Sequence, residues 1–152
     1  MDELRVDHEL IQYIVIKIGT EQYGIDIGYI DNIVRMQHLT RVPKVQKYIK
    51  GVINLRGEVI PVMSLRLKMG LEEDEYTKNT RIIILKQEQH GSIGVIVDEV
   101  REVVTLDTAT IEKPSHDAKD DREAFVCGIG KVENDLISLL DLNVVVAEKE
   151  NA

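Results

Sequence analysis

Along this chain, β-branched side chains gather in short runs broken by glycine and charged turns, and several runs fill both parities of a strand. The stretch from Gly51 to Leu65, Gly-Val-Ile-Asn-Leu-Arg-Gly-Glu-Val-Ile-Pro-Val-Met-Ser-Leu, is the clearest case. A strand covered on one side alternates apolar and polar residues, whereas Val59, Ile60, Val62 and Met63 occupy both parities. Such strands need cover on both faces. Arg56-Gly57 reads as the hairpin tip between them, because glycine tolerates the positive φ that tight turns need.

The same reading along the chain predicts a strand over Ile11 to Ile18, a turn at Gly19 to Gln22 and a second strand through Ile27. Ile27, Ile30, Ile33 and Val34 then adopt helical spacing, which predicts a short helix over Gly28 to Ile33. Leu39 to Pro43 reads as extended, and Val45 to Lys50 as a helical turn. Ser64 caps a short helix carrying Leu65, Leu67 and Met69, which Gly70 ends. The acidic run Glu72-Glu-Asp-Glu75 is the expected join between two halves. Beyond it, strands are predicted over Thr80 to Lys86, Ser92 to Asp98, Val100 to Leu106, Phe125 to Val132 and Asp135 to Leu140. Glu112 to Arg122 has no periodicity and reads as a loop, and Asp141 caps a C-terminal helix ending at Ala147.

The pattern repeats. Setting Gly51 on Gly128, an offset of 77, aligns Val52 with Ile129, Leu55 with Val132, Val59 with Leu136, Ile60 with Ile137, Val62 with Leu139, Met63 with Leu140 and Leu65 with Leu142. At an offset of 70, Gly24, Ile25, Ile27, Ile30, Ile33 and Val34 fall on Gly94, Val95, Val97, Val100, Val103 and Val104. Two matches in the same order point to two copies of one supersecondary unit. The expected organisation is an N-terminal arm (1–10), one domain over 11–147 and a short tail (148–152). Its first half spans about 11–75 together with the C-terminal helix, and its second half about 80–140.

Composition narrows the class. Valine and isoleucine supply 37 of 152 residues, which favours strands over helices, so the expected fold is mostly β. The N-terminus lacks the basic start and apolar run of a signal peptide, and a single cysteine forms no internal disulfide, so a cytoplasmic protein is expected. The formal charge of −8 opposes sequence-independent nucleic-acid binding, which needs a concentrated basic surface, and suits basic protein partners.

Catalytic motifs are scarce. His8, His38, His90 and His116 share no ligand-like spacing, and one cysteine makes no zinc pattern, so neither metal nor cofactor is expected. Cys127, in an apolar strand with no histidine or acid nearby in sequence, reads as a buried structural thiol. Asp98-Glu99 and Asp120-Asp121 read as solvated turn residues, and Lys44, Lys47 and Lys50 as a solvated helix face rather than a track for an RNA backbone. Gly128-Ile-Gly130 lacks the third glycine and the following helix of a phosphate cradle. What stands out is Arg56 on an apolar hairpin, since a guanidinium beside apolar strands is a natural interface anchor.

Glu21-Gln-Tyr-Gly-Ile-Asp-Ile27, Gly51-Val-Ile-Asn-Leu-Arg-Gly57, Val59-Ile-Pro-Val62 and Gly94-Val-Ile-Val-Asp98 together resemble the CheW family of bacterial chemotaxis adaptors, over Ile11 to Val146. The resemblance implies two SH3-like five-stranded β-barrel subdomains with short helices and a C-terminal helix. It implies a non-catalytic adaptor, monomeric when free, that couples chemoreceptor cytoplasmic tips to the regulatory domain of the histidine kinase CheA. The family's receptor contacts map onto Ile30, Asn32, Ile33 and Arg56, with Val100 expected across the groove between subdomains. Many relatives carry Glu where this chain has Asn32, which puts a charge contact there in doubt. The kinase interface is not assigned to residues. The family fold also occurs as the kinase's own regulatory domain and as the front half of CheV, and the length of this chain favours a free-standing adaptor at membrane-associated receptor arrays.

Overall fold

The computed structural model describes residues 9–87, 91–114 and 124–147. Most of the expected arm, His8, His90, His116, Asp120-Asp121 and most of the loop from Glu112 to Arg122 lie outside these residues.

Among the described residues, ten strands and two short α-helices follow in the order β1 (Leu10–Ile18), β2 (Glu21–Asp26), β3 (Ile30–Arg35), β4 (Ile49–Leu55), β5 (Glu58–Ser64), α1 (Leu65–Lys68), β6 (Arg81–Leu85), β7 (Ile93–Val97), β8 (Glu99–Asp107), β9 (Val126–Val132), β10 (Asp135–Leu140) and α2 (Leu142–Val146). They form two five-stranded sheets with strand orders β8-β1-β2-β10-β9 and β3-β6-β7-β5-β4.

The repeat seen in sequence is a repeat in space. Gly24 of β2 lies beside Leu139 of β10 in a parallel pair, and Gly94 of β7 lies beside Val62 of β5 in the same way. Thr40 bridges to Val52, and Glu112 bridges to Ile129, 77 positions after Val52. The cap Ser64 donates its N–H to the Tyr48 carbonyl at 2.7 Å, and Asp141 donates to Phe125 at 2.7 Å. Each copy is therefore a β-β-β-β-β-α unit, but neither copy makes a sheet alone. The first sheet takes β1 and β2 from one copy and β8, β9 and β10 from the other, and the second sheet reverses the exchange. The acidic join separates the copies in sequence without separating the sheets.

Strands apolar on both faces now have their cover. One parity of β1, Tyr13 and Val15, joins Val104, Leu106, Ile137 and Leu139 in a cluster inside the first sheet. These residues share one sheet face with no second layer, so that sheet must curl around its own core. Ile53, Ile60, Val62, Ile82, Ile84 and Ile96 do the same in the second. The opposite parities, including Ile14, Ile16, Met63, Ile83 and Val95, meet in a third cluster between the sheets, with Leu65, Met69 and Val145 from the helical ends. Each fully buried aliphatic side chain contributes about 1.5–3 kcal/mol, so the middle cluster holds the sheets together as one unit. Val59 is the exception in its run, 63% exposed beyond the hairpin turn.

Buried Lys68 on α1 adds a polar latch. Its ammonium donates to the Ala147 carbonyl at the end of α2 and lies 4.1 Å from the centroid of the Tyr48 ring.

Two of the expected helical elements do not form. The helix over Gly28 to Ile33 is only a 3-10 turn over Ile27–Tyr29, capped by Asp26 accepting from the Gly28 N–H, after which the chain runs on as β3. The expected helical turn over Val45 to Lys50 is a single tight turn at Lys47-Tyr48, closed by the Ile49 N–H donating to the Gln46 carbonyl at 3.0 Å, that enters β4.

Candidate functional site

The strands β3 and β8 cross from the sheet of their predecessor to the opposite sheet. Ile30 pairs with Leu85 and Asn32 with Ile84, so Asp31 is left out of register. In the other copy Val100 pairs with Ile16 and Glu102 with Val15, leaving out Arg101. These are matching β-bulges, and a bulge changes which face the following residues present. The apolar spacing of three between Ile30 and Ile33 is therefore a bulged strand rather than a helical turn. Val100 and Val103 keep the same spacing on β8.

Ile30, Ile33 and Val100 all pack, half-buried, against the cluster between the sheets. All three therefore border the same central cluster, Ile30 and Ile33 from β3 and Val100 from β8. Next to them Ile27 and Tyr29 are exposed at 38% and 48%, and Val103 at 49%. Asn32 faces the other way: its partner Ile84 belongs to the second sheet's own core, and its Oδ1 accepts the Ile33 N–H at 2.8 Å.

Arg56 lies elsewhere, at the tip of the β4–β5 hairpin on the edge of the second sheet opposite β3 in strand order. Asn54 Oδ1 accepts the Gly57 N–H at 3.1 Å, and Arg56 and Gly57 have φ of 55° and 83°, as a tight hairpin turn requires. The guanidinium is exposed and has no polar partner among the described residues. At the related hairpin of β9 and β10, Glu133 has φ of 56° and is followed by exposed Leu136, the counterpart of Val59.

The strongest polar cluster was not legible in sequence. Arg66 on α1 grips Asp98, between β7 and β8, with Nε at 3.0 Å and Nη2 at 2.5 Å, and the Gly19 N–H donates to the same carboxylate at 2.7 Å. Partial burial would raise the Asp98 pKa, but these hydrogen bonds and the guanidinium charge outweigh it and hold the carboxyl below its ordinary range. Asp98 is a structural ion-pair partner, not a solvated turn residue. Burial pushes Asp74 the opposite way, only partly offset by the Ser64 hydroxyl, which donates to its Oδ2 at 2.5 Å, and by the Arg66 charge.

Cys127 is exposed, not buried, with Sγ 3.5 Å from the Leu139 carbonyl. Partial desolvation of the thiol and the Asp141 charge raise its pKa, which works against a nucleophilic role. Among the described residues no group of three or more His, Cys, Asp or Glu could hold a metal ion. Lys44, Lys47 and Lys50 are not on a helix; with Arg41, Leu39 and Tyr76 they line an open concavity of about 1010 Å³. Lys50 there pairs with Glu73, and the hydrogen bond to that carboxylate raises the Lys50 pKa against partial burial.

Two interleaved five-stranded β-sheets packed on one shared apolar cluster define a mostly β module. The family model of the CheW-like domain matches residues 12–150. "Chemotaxis protein CheW" of Bacillus subtilis is 39% identical over 91% of this chain and 88% of its own length. The protein of the same name from Helicobacter pylori is 34% identical over 92% of this chain and 84% of its own length. The crystal structure of the scaffolding protein TtCheW from Thermoanaerobacter tengcongensis matches with a TM-score of 0.82 at 34% identity, covering 90% of this chain and 92% of that one. This chain belongs to the CheW-like family. Among the described residues no helix is long and apolar enough to cross a membrane.

Proposed function

We propose that this chain is a non-catalytic chemotaxis adaptor that couples the cytoplasmic tips of chemoreceptors to the regulatory domain of the histidine kinase CheA. The reading is supported by Ile30, Ile33 and Val100, which are only half-buried against the cluster between the two sheets and so keep apolar surface open to a partner. An amphipathic receptor helix lays its apolar stripe there, and a separate part of the receptor contact reaches Arg56 at the distant β4–β5 tip, while Asn32, turned towards the core of the second sheet, does not touch the seated helix. The kinase domain docks on the outer surfaces of the sheets. Signal passes as a change in packing that biases a two-state kinase by a few kcal/mol, without chemistry by the adaptor. Each contact is modest alone and gains strength in a membrane-associated cytoplasmic array, where linked sites raise effective concentration.

Pull-down with a chemoreceptor cytoplasmic fragment tests this. Arg56→Glu loses receptor recruitment while keeping the wild-type melting temperature, and Ile30→Asp, if still folded, loses it too. Wild-type binding by both folded variants sinks the receptor assignment.

A further inference from the structure

The two crossing strands carry the same bulge in related positions, but the residues set out of register have opposite charges. Asp31 and Arg101 lie 70 positions apart, the offset that relates Ile30 to Val100, and each follows one of those two apolar residues. Both are exposed, and neither has a hydrogen bond or ion pair among the described residues. Their near neighbours do not neutralise them. Exposed Glu102 pairs in register with Val15 and half-buried Glu99 with Lys17, and among the described residues neither carboxylate forms an ion pair with Arg101. Asn32, beside Asp31, faces the core of the second sheet. Ile30 and Ile33 on β3 and Val100 on β8 pack against the same central cluster, and as counterparts in the repeat they give a seated helix no direction of their own.

Resting on the receptor-binding reading, we infer that Asp31 and Arg101 set the direction of the helical segment seated there, which carries a basic side chain where it passes Asp31 and an acidic one where it passes Arg101. Charges at the rim of an apolar contact give register and direction rather than bulk affinity, because the reversed orientation sets like charges together. A bulge suits this role, since it turns a side chain out of the regular alternation without ending the strand.

Isothermal titration with the cytoplasmic hairpin fragment of a chemoreceptor from the same organism tests the inference, with circular dichroism to establish that each variant is folded. Asp31→Arg and Arg101→Asp each weaken binding about tenfold, while Asp31→Glu and Arg101→Lys bind as wild type. Added salt weakens the wild type and narrows its gap to the reversals. If both reversals bind as wild type while Ile30→Asp loses binding, the orientation inference is overturned and the groove assignment stands. If folded Ile30→Asp also binds as wild type, the groove assignment falls and the inference falls with it.

Discussion

The guanidinium of Arg66 holds both carboxylate oxygens of Asp98, at 3.0 and 2.5 Å, and so ties the helix of the first copy to the start of the crossing strand of the second. The pair is partly sheltered, with side chains 21% and 25% exposed. Bidentate contacts of this kind are directional as well as charged, so the pair helps fix where β8 leaves one sheet for the other.

Acid stability reports on that pair. Because Asp98 has a folded-state pKa below its unfolded value, its contribution is complete above about pH 4 and is lost as the pH falls through the folded value. Asp98→Asn is expected to cost about 2 kcal/mol at pH 7 and to flatten the fall in stability below about pH 4, read by urea denaturation at each pH.

Asp74 has the opposite sign. Its Oδ1 is buried with no hydrogen-bond partner among the described residues, and desolvation raises its folded-state pKa. Protonation therefore favours the folded chain, and the carboxyl adds stability as the pH falls through its raised value towards the ordinary one. Asp74→Asn removes that gain. The difference in melting temperature between variant and wild type should shift in the variant's favour as the pH rises from 4 towards 7, and a constant difference contradicts the assignment.

Glycine substitutions test the exchanged packing. A Cβ on Gly51, where φ is +151°, would come within 2.5 Å of the Thr40 carbonyl oxygen, a backbone atom that cannot step aside. On Gly94 it would meet Ile82 Cγ2 at 2.8 Å, and on Gly24 the Leu139 Cδ2 end at 2.8 Å. Gly51→Ala is predicted to cost about 3 kcal/mol. Gly94→Ala should cost more than Gly24→Ala, because a β-branched methyl yields less readily than the end of a leucine.

Lys68→Met keeps the volume of a buried side chain but removes the hydrogen bond to Ala147 and the contact with Tyr48. A loss of about 1–3 kcal/mol is expected, with faster amide exchange in α2 than in β6. Equal protection of α2 in both proteins would show that the latch does not hold that helix.

Most of the strand pattern was legible because β-branched runs and glycine turns are local signals. Gly51 and Gly128, seen only as an alignment, proved to be matching points of two hairpins. The strand β3 was misread because a bulge and a helical turn put the same spacing of three into the apolar pattern, and only pairing with β6 separates them. The exchange of strands between copies was invisible, since a repeat reads the same whether each copy folds alone or shares its strands. Among the site residues, Ile30, Ile33 and Val100 each pack half-buried against the cluster between the sheets, whereas Asn32 lies on the opposite face of its strand and Arg56 on a distant hairpin. The grip of Arg66 on Asp98 joins residues 32 positions apart, a distance at which charge spacing in sequence carries no geometry.

The coupling role itself is most directly read from CheA phosphorylation in a reconstituted mixture. With chemoreceptor fragment and this chain both present, kinase activity should rise well above that with either alone, and Ile30→Asp or Arg56→Glu should return it to the two-component level. Full stimulation by receptor and kinase without this chain, or by the kinase and this chain without receptor, would contradict the adaptor account.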